Sequence, residues 1–73
     1  ALIVVQKDKP GVVAHITKIL SDRGVNIAFM RLFREEKGHT AYTIVESDER
    51  LPEGVGALLL ENPNITDVMV VQP

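Results

Sequence analysis

The chain has 73 residues, of which 45% are hydrophobic and 25% charged, and its formal net charge is −2. This composition is typical of one small soluble globular domain, and a chain of this size buries only about 60% of the surface that its unfolded form exposes. The slightly negative charge argues against a general attraction to nucleic acid or to anionic membranes. Because the sequence contains no cysteine, disulfides, zinc–cysteine sites and iron–sulfur ligation by this chain are excluded.

No apolar run approaches the roughly 20 residues that span a bilayer, and no signal peptide is visible. The chain opens on the strand-like sequence ALIVV, without a methionine. It contains no internal repeat, linker or low-complexity segment. We therefore expect residues 1–73 to be a single domain that belongs to a longer protein.

The first three predicted elements are a strand, a helix and a second strand. Residues 2–5 form a short, mostly β-branched run that predicts a buried strand. The turn sequence KDKPG follows, and Pro10 suits the first turn of a helix because its missing N–H needs no partner there. Apolar residues then recur at helical spacing up to Gly24, which supplies the C-terminal stop. Residues 25–33 are the second predicted strand.

The second half of the chain contains a third strand, a second helix and a last strand. A polar turn at residues 35–38 precedes residues 40–46, which predict a strand that forms a hairpin with the second one. After a loop at residues 48–52, residues 53–61 have helical length and spacing despite two glycines, and residues 65–71 are the last strand. The order βαββαβ predicts an α+β, ferredoxin-like sandwich. Its four-stranded antiparallel sheet has two helices on one face and the first and third strands in the middle.

The second predicted strand carries apolar residues on both faces. Regular alternation places Ile27 and Phe29 on one face, and Ala28, Met30 and Leu32 on the other. A sheet with a wet outer face would alternate with polar residues instead. A β-bulge near Phe29 would re-phase the strand and account for part of this pattern. We expect the remaining apolar residues of this strand to be covered by a partner that binds the edge or the open face of the sheet. The alternative is that they are scattered surface hydrophobic residues, which are common.

The sequence offers little for catalysis. No Ser-His-Asp order or pair of carboxylates stands out, and two histidines without any cysteine argue against a metal site. We expect His15 and His39 to be solvated surface residues, and we expect no catalytic residue and no metal ligand. The first strand lacks the aromatic side chains on which RNA-recognition domains stack bases. An acylphosphatase-like enzyme would need an arginine in the first loop to hold phosphate, and this loop has only Lys7 and Lys9. That activity is therefore the least favoured of the functions considered for this fold.

The turn that leads into the first helix predicts a small-ligand site. N–H groups at a helix N-terminus, with the helix dipole behind them, bind a carboxylate, and Gly11 lets a ligand approach the backbone closely. The amide of Asn26, at the start of the next strand, can both donate and accept hydrogen bonds. Together these groups could hold a small zwitterion. From spacing alone it is equally consistent that Pro10 and Gly11 only start the helix and that Asn26 only closes a turn.

Three short motifs together resemble the signature of an ACT domain. They are DKPGV at residues 8–12, a helix that ends in RG, and VNI at residues 25–27, and the similarity covers essentially the whole chain. More narrowly, NIAFMRLFREEKGHTAYTIVESD resembles the ACT domain that ends the β chain of bacterial iron–sulfur L-serine dehydratases. Phosphoglycerate dehydrogenases carry similar modules. The resemblance implies a cytoplasmic, regulatory amino-acid-binding domain without a catalytic site, in an enzyme such as the lyase that converts L-serine to pyruvate and ammonia.

The resemblance also implies a ligand site between two copies of the domain, which pair through their sheets or helices. The loop of one copy would hold a small amino acid, L-serine in the first instance, and the neighbouring copy would complete the site. The catalytic domain or chain, with its 4Fe–4S cluster, would be another part of the parent enzyme. Many relatives have a smaller or uncharged residue at the position of Lys9, so the identity of the ligand cannot be inferred from the resemblance. The alternative is a pure assembly module that binds no ligand. The implied ligand-binding residues are Asp8, Lys9, Pro10, Gly11, Val12, Val13, Asn26 and Ile27.

Overall fold

A computed structural model describes residues 1–35 and 39–71. The strands form one antiparallel sheet in the order β2-β3-β1-β4, so that β1 and β3 are the central strands. This confirms the predicted ferredoxin-like sandwich and its strand order. The predicted turn residues Glu36, Lys37 and Gly38 lie outside the described residues. The elements are β1 (Leu2–Lys7), α1 (Val12–Asp22), β2 (Ile27–Arg34), β3 (Thr40–Ser47), α2 (Val55–Leu60) and β4 (Ile65–Val70).

The hydrophobic core lies between the two helices and one face of the sheet. β1 and β3 alternate between buried and less buried residues because successive side chains of a strand point to opposite faces. The predicted buried strand is thus buried on one face only, at Leu2 and Val4, whereas Ile3 and Val5 face the open side of the sheet and are half-buried. The largest fully buried apolar side chains are those of Leu2, Ile16, Leu20 and Leu59.

Both helices begin after a glycine in the left-handed conformation. Gly11 is the N-cap of α1 with a φ of 86°, and Gly54 is the N-cap of α2 with a φ of 82°. Glycine takes this conformation readily because it has no Cβ. Pro10 consequently lies in the turn before the N-cap, and the prediction that it occupies the first helical turn is wrong. For the same reason α2 begins at Val55, two residues later than predicted.

The edge strand β2 contains the predicted bulge, which decides which side chains reach the core. The register with β3 shifts between Ile27 and Phe29. Ile27 therefore packs against the core, whereas Phe29 lies opposite Glu46 on the open face. The regular alternation that placed Ile27 and Phe29 on one face is wrong. From Ala28 to Arg34 every residue of β2 is exposed, because neither helix covers this edge of the sheet.

The open face of the sheet is largely apolar. Register pairs bring Phe33 beside Tyr42 on one side of this face, and Ile3 beside Met69 on the other. Met69 is 54% exposed and Phe29 is 52% exposed. An exposed apolar face agrees with the prediction that a partner covers this side of the sheet. The presence of that partner stays a prediction.

His15 of α1 is half-buried, and its side chain contacts Asn62, which follows α2. The Asn62 side chain donates a hydrogen bond from Nδ2 to His15 Nδ1 at 2.7 Å, while its Oδ1 accepts one from the backbone N–H of Asn64. The prediction that His15 is a solvated surface residue is wrong, because the side chain of Asn62 lies against it and binds its Nδ1. His39 is exposed next to the hairpin turn, as expected.

Candidate functional site

A groove of about 450 Å³ lies between the β1–α1 loop and the uncovered part of β2. Its volume is within the range of about 300–1,000 Å³ that is usual for small-molecule sites. The groove exists because α1 packs over the central strands and leaves the helix-facing side of β2 exposed at Leu32 and Arg34. The lining residues are Gln6, Asp8, Lys9, Pro10, Gly11, Val13, Leu32 and Arg34.

The loop wall of the groove contains most of the residues that the sequence predicted. Two backbone hydrogen bonds hold the loop in place: the Asp8 N–H donates to His39 O at 2.8 Å, and the Lys9 N–H donates to Lys7 O at 2.8 Å. Five predicted residues, Asp8 to Gly11 and Val13, line the groove. Val12 is buried in the core, so that only its backbone can serve a ligand.

The N-terminus of α1 opens into this groove without a cap from a side chain. Gly11 carries no side chain to accept from the first N–H groups, and the first turn contains no acidic residue. The first four N–H groups of an α-helix have no partner within the helix. A Cβ placed on Gly11 would meet no atom within 4 Å, so the space in front of the helix end is open.

Gln6 lies at the buried floor of the groove and is held there by Thr43, and neither residue was among the predicted site residues. Gln6 is 3% exposed and Thr43 is fully buried, and the Thr43 hydroxyl donates to Gln6 Oε1 at 2.6 Å. Because this bond engages the carbonyl oxygen, the amide N–H groups are what Gln6 can offer to the groove. Strand periodicity could have found Gln6, which lies in phase with the buried Leu2 and Val4.

Charged groups face one another across the mouth of the groove. Arg34 Nε lies 3.3 Å from Asp8 Oδ2, and the Asp8 side chain is only 15% exposed whereas that of Arg34 is 52% exposed. Lys9 is exposed on the same rim. Arg34 was also not among the predicted site residues, because its approach to Asp8 depends on the order and register of the strands.

Asn26 and Ile27 lie at the opposite end of β2 from the groove. β2 has eight residues, so that its two ends are about 23 Å apart at the usual rise of a strand. Asn26 is held by acidic residues: its Nδ2 donates to Asp48 Oδ2 at 2.5 Å, and its backbone N–H donates to Glu49 Oε1 at 3.2 Å. The structure therefore does not bring Asn26 and Ile27 to the loop within one chain.

The described residues, 1–35 and 39–71, contain no group of three or more His, Cys, Asp and Glu side chains arranged to hold a metal ion. Across this same part of the chain, neither helix has the length and apolar character that crossing a membrane requires. The groove itself offers a ligand the backbone N–H groups of the helix N-terminus, the Gln6 amide and the charged side chains of Asp8, Lys9 and Arg34. It lies beside the exposed edge strand β2.

This α+β fold, with its groove at the first helix, agrees with a match of residues 1–63 to the family model of the ACT domain. The chain belongs to the ACT domain family, whose members are regulatory domains of enzymes of amino-acid metabolism. The family membership that the motifs predicted is thereby confirmed.

Similar proteins include two kinds of enzyme. D-3-phosphoglycerate dehydrogenases of Methanocaldococcus jannaschii and Bacillus subtilis are 36% identical over 69 residues and 32% identical over 71 residues. A probable L-serine dehydratase β chain of Bacillus subtilis is 29% identical over 68 residues. These matches cover 94%, 96% and 93% of this chain, respectively, but only 13%, 14% and 31% of the relatives. The chain is thus similar to a small part of each enzyme.

Proposed function

We propose that this domain binds a small amino acid in the groove and thereby regulates a larger enzyme. The observation that carries the proposal is the combination of an uncapped helix N-terminus with the Asp8 carboxylate in one groove. A zwitterion needs both kinds of group. The first N–H groups of α1 would take the carboxylate of the ligand, and Asp8 would take its ammonium group.

L-Serine is the first candidate ligand. Its hydroxyl can accept a hydrogen bond from the amide of Gln6 at the floor of the groove, whose orientation Thr43 fixes. One of the similar proteins is named for its action on L-serine. L-Alanine lacks the hydroxyl and would leave the Gln6 amide without this partner. We therefore expect L-alanine to bind about two- to tenfold more weakly, the value of one ordinary hydrogen bond.

A second copy of the domain would complete the site through the edge strand β2. In an antiparallel pair of β2 strands, the start of one strand lies beside the end of the other, so that Asn26 of one copy approaches Arg34 of its partner. The carboxylates of Asp48 and Glu49 bind Asn26 at one end, and the cations Lys9 and Arg34 flank the groove at the other. This complementarity supports edge-to-edge pairing. A ligand that binds the paired form better would shift the population towards it, with a coupling of about 1–3 kcal/mol.

We propose a cytoplasmic L-serine dehydratase as the parent enzyme, with a D-3-phosphoglycerate dehydrogenase as the second candidate. The dehydratase agrees with the motif resemblance, and the second candidate is favoured by the higher identity of the dehydrogenases. A 4Fe–4S cluster in a dehydratase would take its thiolate ligands from other segments, since this chain has no cysteine. Assays of the full-length protein for pyruvate formation from L-serine and for dehydrogenation of D-3-phosphoglycerate would distinguish the two.

A second candidate function is assembly of the parent enzyme without a ligand. The exposed strand β2 and the apolar open face of the sheet favour this alternative, because both are surfaces that another chain can cover. It predicts a stable dimer whose mass does not depend on amino acids.

Calorimetric titration with L-serine, then with other small amino acids, tests the proposal, with the mass in solution measured alongside. We expect stereospecific binding and a higher dimer fraction with ligand. Gly11→Ala should abolish binding, since its methyl group enters the space in front of the helix N-terminus. Gly54→Ala is the matched control, because it adds the same methyl at the same kind of left-handed N-cap away from the groove. Equal binding by both variants would contradict the site, and a dimer that binds no amino acid would favour assembly.

A further inference from the structure

The groove contains a cation of its own at the place where a ligand's ammonium group would bind. Arg34 Nε lies 3.3 Å from Asp8 Oδ2, and both residues line the groove. The Asp8 side chain is mostly buried, so that it needs a cationic or hydrogen-bonding partner when the groove holds no ligand. Arg34 is half-exposed at the end of the edge strand, so its ion pair with Asp8 is weak and its guanidinium group can move away from Asp8 at little cost.

We propose that Arg34 is a specificity-determining residue, whose guanidinium group pairs with Asp8 in the empty groove and is displaced by the ammonium group of the ligand. This inference rests on the proposed function, because it takes Asp8 as the acceptor for that ammonium group. The pair makes the empty state more stable, and every amino acid that enters must compete with it. Arg34 thus lowers the affinity for amino acids in general.

The same pair affects how well the groove distinguishes amino acids from hydroxy acids. A ligand with a hydroxyl in place of the ammonium group leaves the Asp8–Arg34 pair intact and does not compete with it. Without Arg34, such a ligand would leave the Asp8 carboxylate with one cation fewer, whereas an amino acid would replace that cation with its ammonium group. Removal of Arg34 should therefore increase the preference for amino acids.

Titration of the Arg34→Gln variant with L-serine and with glycerate, the 2-hydroxy analogue of serine, tests this inference. We expect L-serine to bind this variant about two- to fivefold more tightly than it binds the unmodified domain, because an equilibrium constant of this size is typical of an exposed ion pair. Glycerate should bind equally or more weakly. The control is Arg31→Gln, which removes the same charge from the same strand, but from a guanidinium group 4.7 Å from the ring centre of Phe33 on the open face. This control should change neither affinity.

A second readout follows Arg34 itself. In NMR spectra of the unmodified domain, the Nε–H signal of Arg34 should shift when L-serine is added and should stay in place when glycerate is added. Weaker binding of both ligands by Arg34→Gln would mean that the guanidinium group holds the ligand carboxylate, and would overturn the inference. Unchanged affinity for L-serine would overturn it as well. If the unmodified domain binds no small amino acid, the proposed function itself fails, and this inference fails with it.

Discussion

Replacement of Thr43 by valine should destabilise the domain although the two side chains have nearly the same shape. The Thr43 hydroxyl is fully buried and donates at 2.6 Å to Gln6 Oε1, which belongs to a side chain that is only 3% exposed. Thr43→Val leaves the amide oxygen of Gln6 without a donor. An unsatisfied buried acceptor costs about 1–3 kcal/mol. The total free energy of unfolding of a domain of this size is about 4–11 kcal/mol.

Urea denaturation followed by circular dichroism is the appropriate assay, because the chain has no tryptophan to report by fluorescence. We expect a lower midpoint at an unchanged slope. We also expect a melting temperature that is lower by about 4–8 °C for each kcal/mol lost. The double variant Gln6→Leu/Thr43→Val should recover most of the loss, since replacing both partners by apolar groups is close to neutral.

Additive effects of Gln6→Leu and Thr43→Val would refute this reasoning, because two side chains that share a buried hydrogen bond must show a coupling energy. A loss below about 0.5 kcal/mol for Thr43→Val alone would also refute it, since an unsatisfied buried acceptor costs more than that. In either case Gln6 would have a different partner, and its proposed role towards the ligand would lose its structural basis.

Three further predictions concern the core, a titrating residue and the edge strand. Leu20→Ala removes a fully buried side chain from α1 and should lower the free energy of unfolding by about 2–5 kcal/mol, as measured by urea denaturation. Tyr42 donates to Glu35 Oε2 at 2.6 Å, and this hydrogen bond, together with the Glu35 charge, raises the pKa of Tyr42 above 10.0. The bond therefore stabilises the fold below pH 10.0, and this contribution is lost as the pH rises through the raised pKa. Tyrosinate absorbance measures this pKa without ambiguity, because the chain has one tyrosine. Met30→Glu places a charge on the exposed edge strand and should lower the dimer fraction in light scattering.

Each of these predictions has a matched control or a contrary outcome. Leu60→Ala removes the same group from a side chain that is 48% exposed, and a cost equal to that of Leu20→Ala would contradict the described core. Glu35→Gln should return the pKa of Tyr42 towards its ordinary value, and no change would mean that another group causes the shift. Met69→Glu places the same charge on the open face of the sheet. If it disrupts the dimer and Met30→Glu does not, the copies stack through that face.

The local sequence alone determined the order of the secondary-structure elements and most of the ligand-site residues in the loop between β1 and α1. The helical spacing of apolar residues predicted both helices, and short runs rich in β-branched and apolar residues between turn sequences predicted the four strands. The order of these elements and the handedness of crossovers were enough to place β1 and β3 in the centre. The turn before α1 was also predictable, since Gly11 next to a proline is a local signal.

Only the tertiary structure decided which side chains share the groove. The bulge at Ile27–Phe29 separates two residues that regular alternation had placed together, and it depends on pairing with β3. Arg34 reaches Asp8 because strand order and register bring distant parts of the chain together, and no local pattern encodes that distance. For the same reason Asn26 lies a full strand length from the loop that its motif accompanies. Periodicity is a property of neighbouring residues, whereas a site is assembled across strands whose register the whole fold determines.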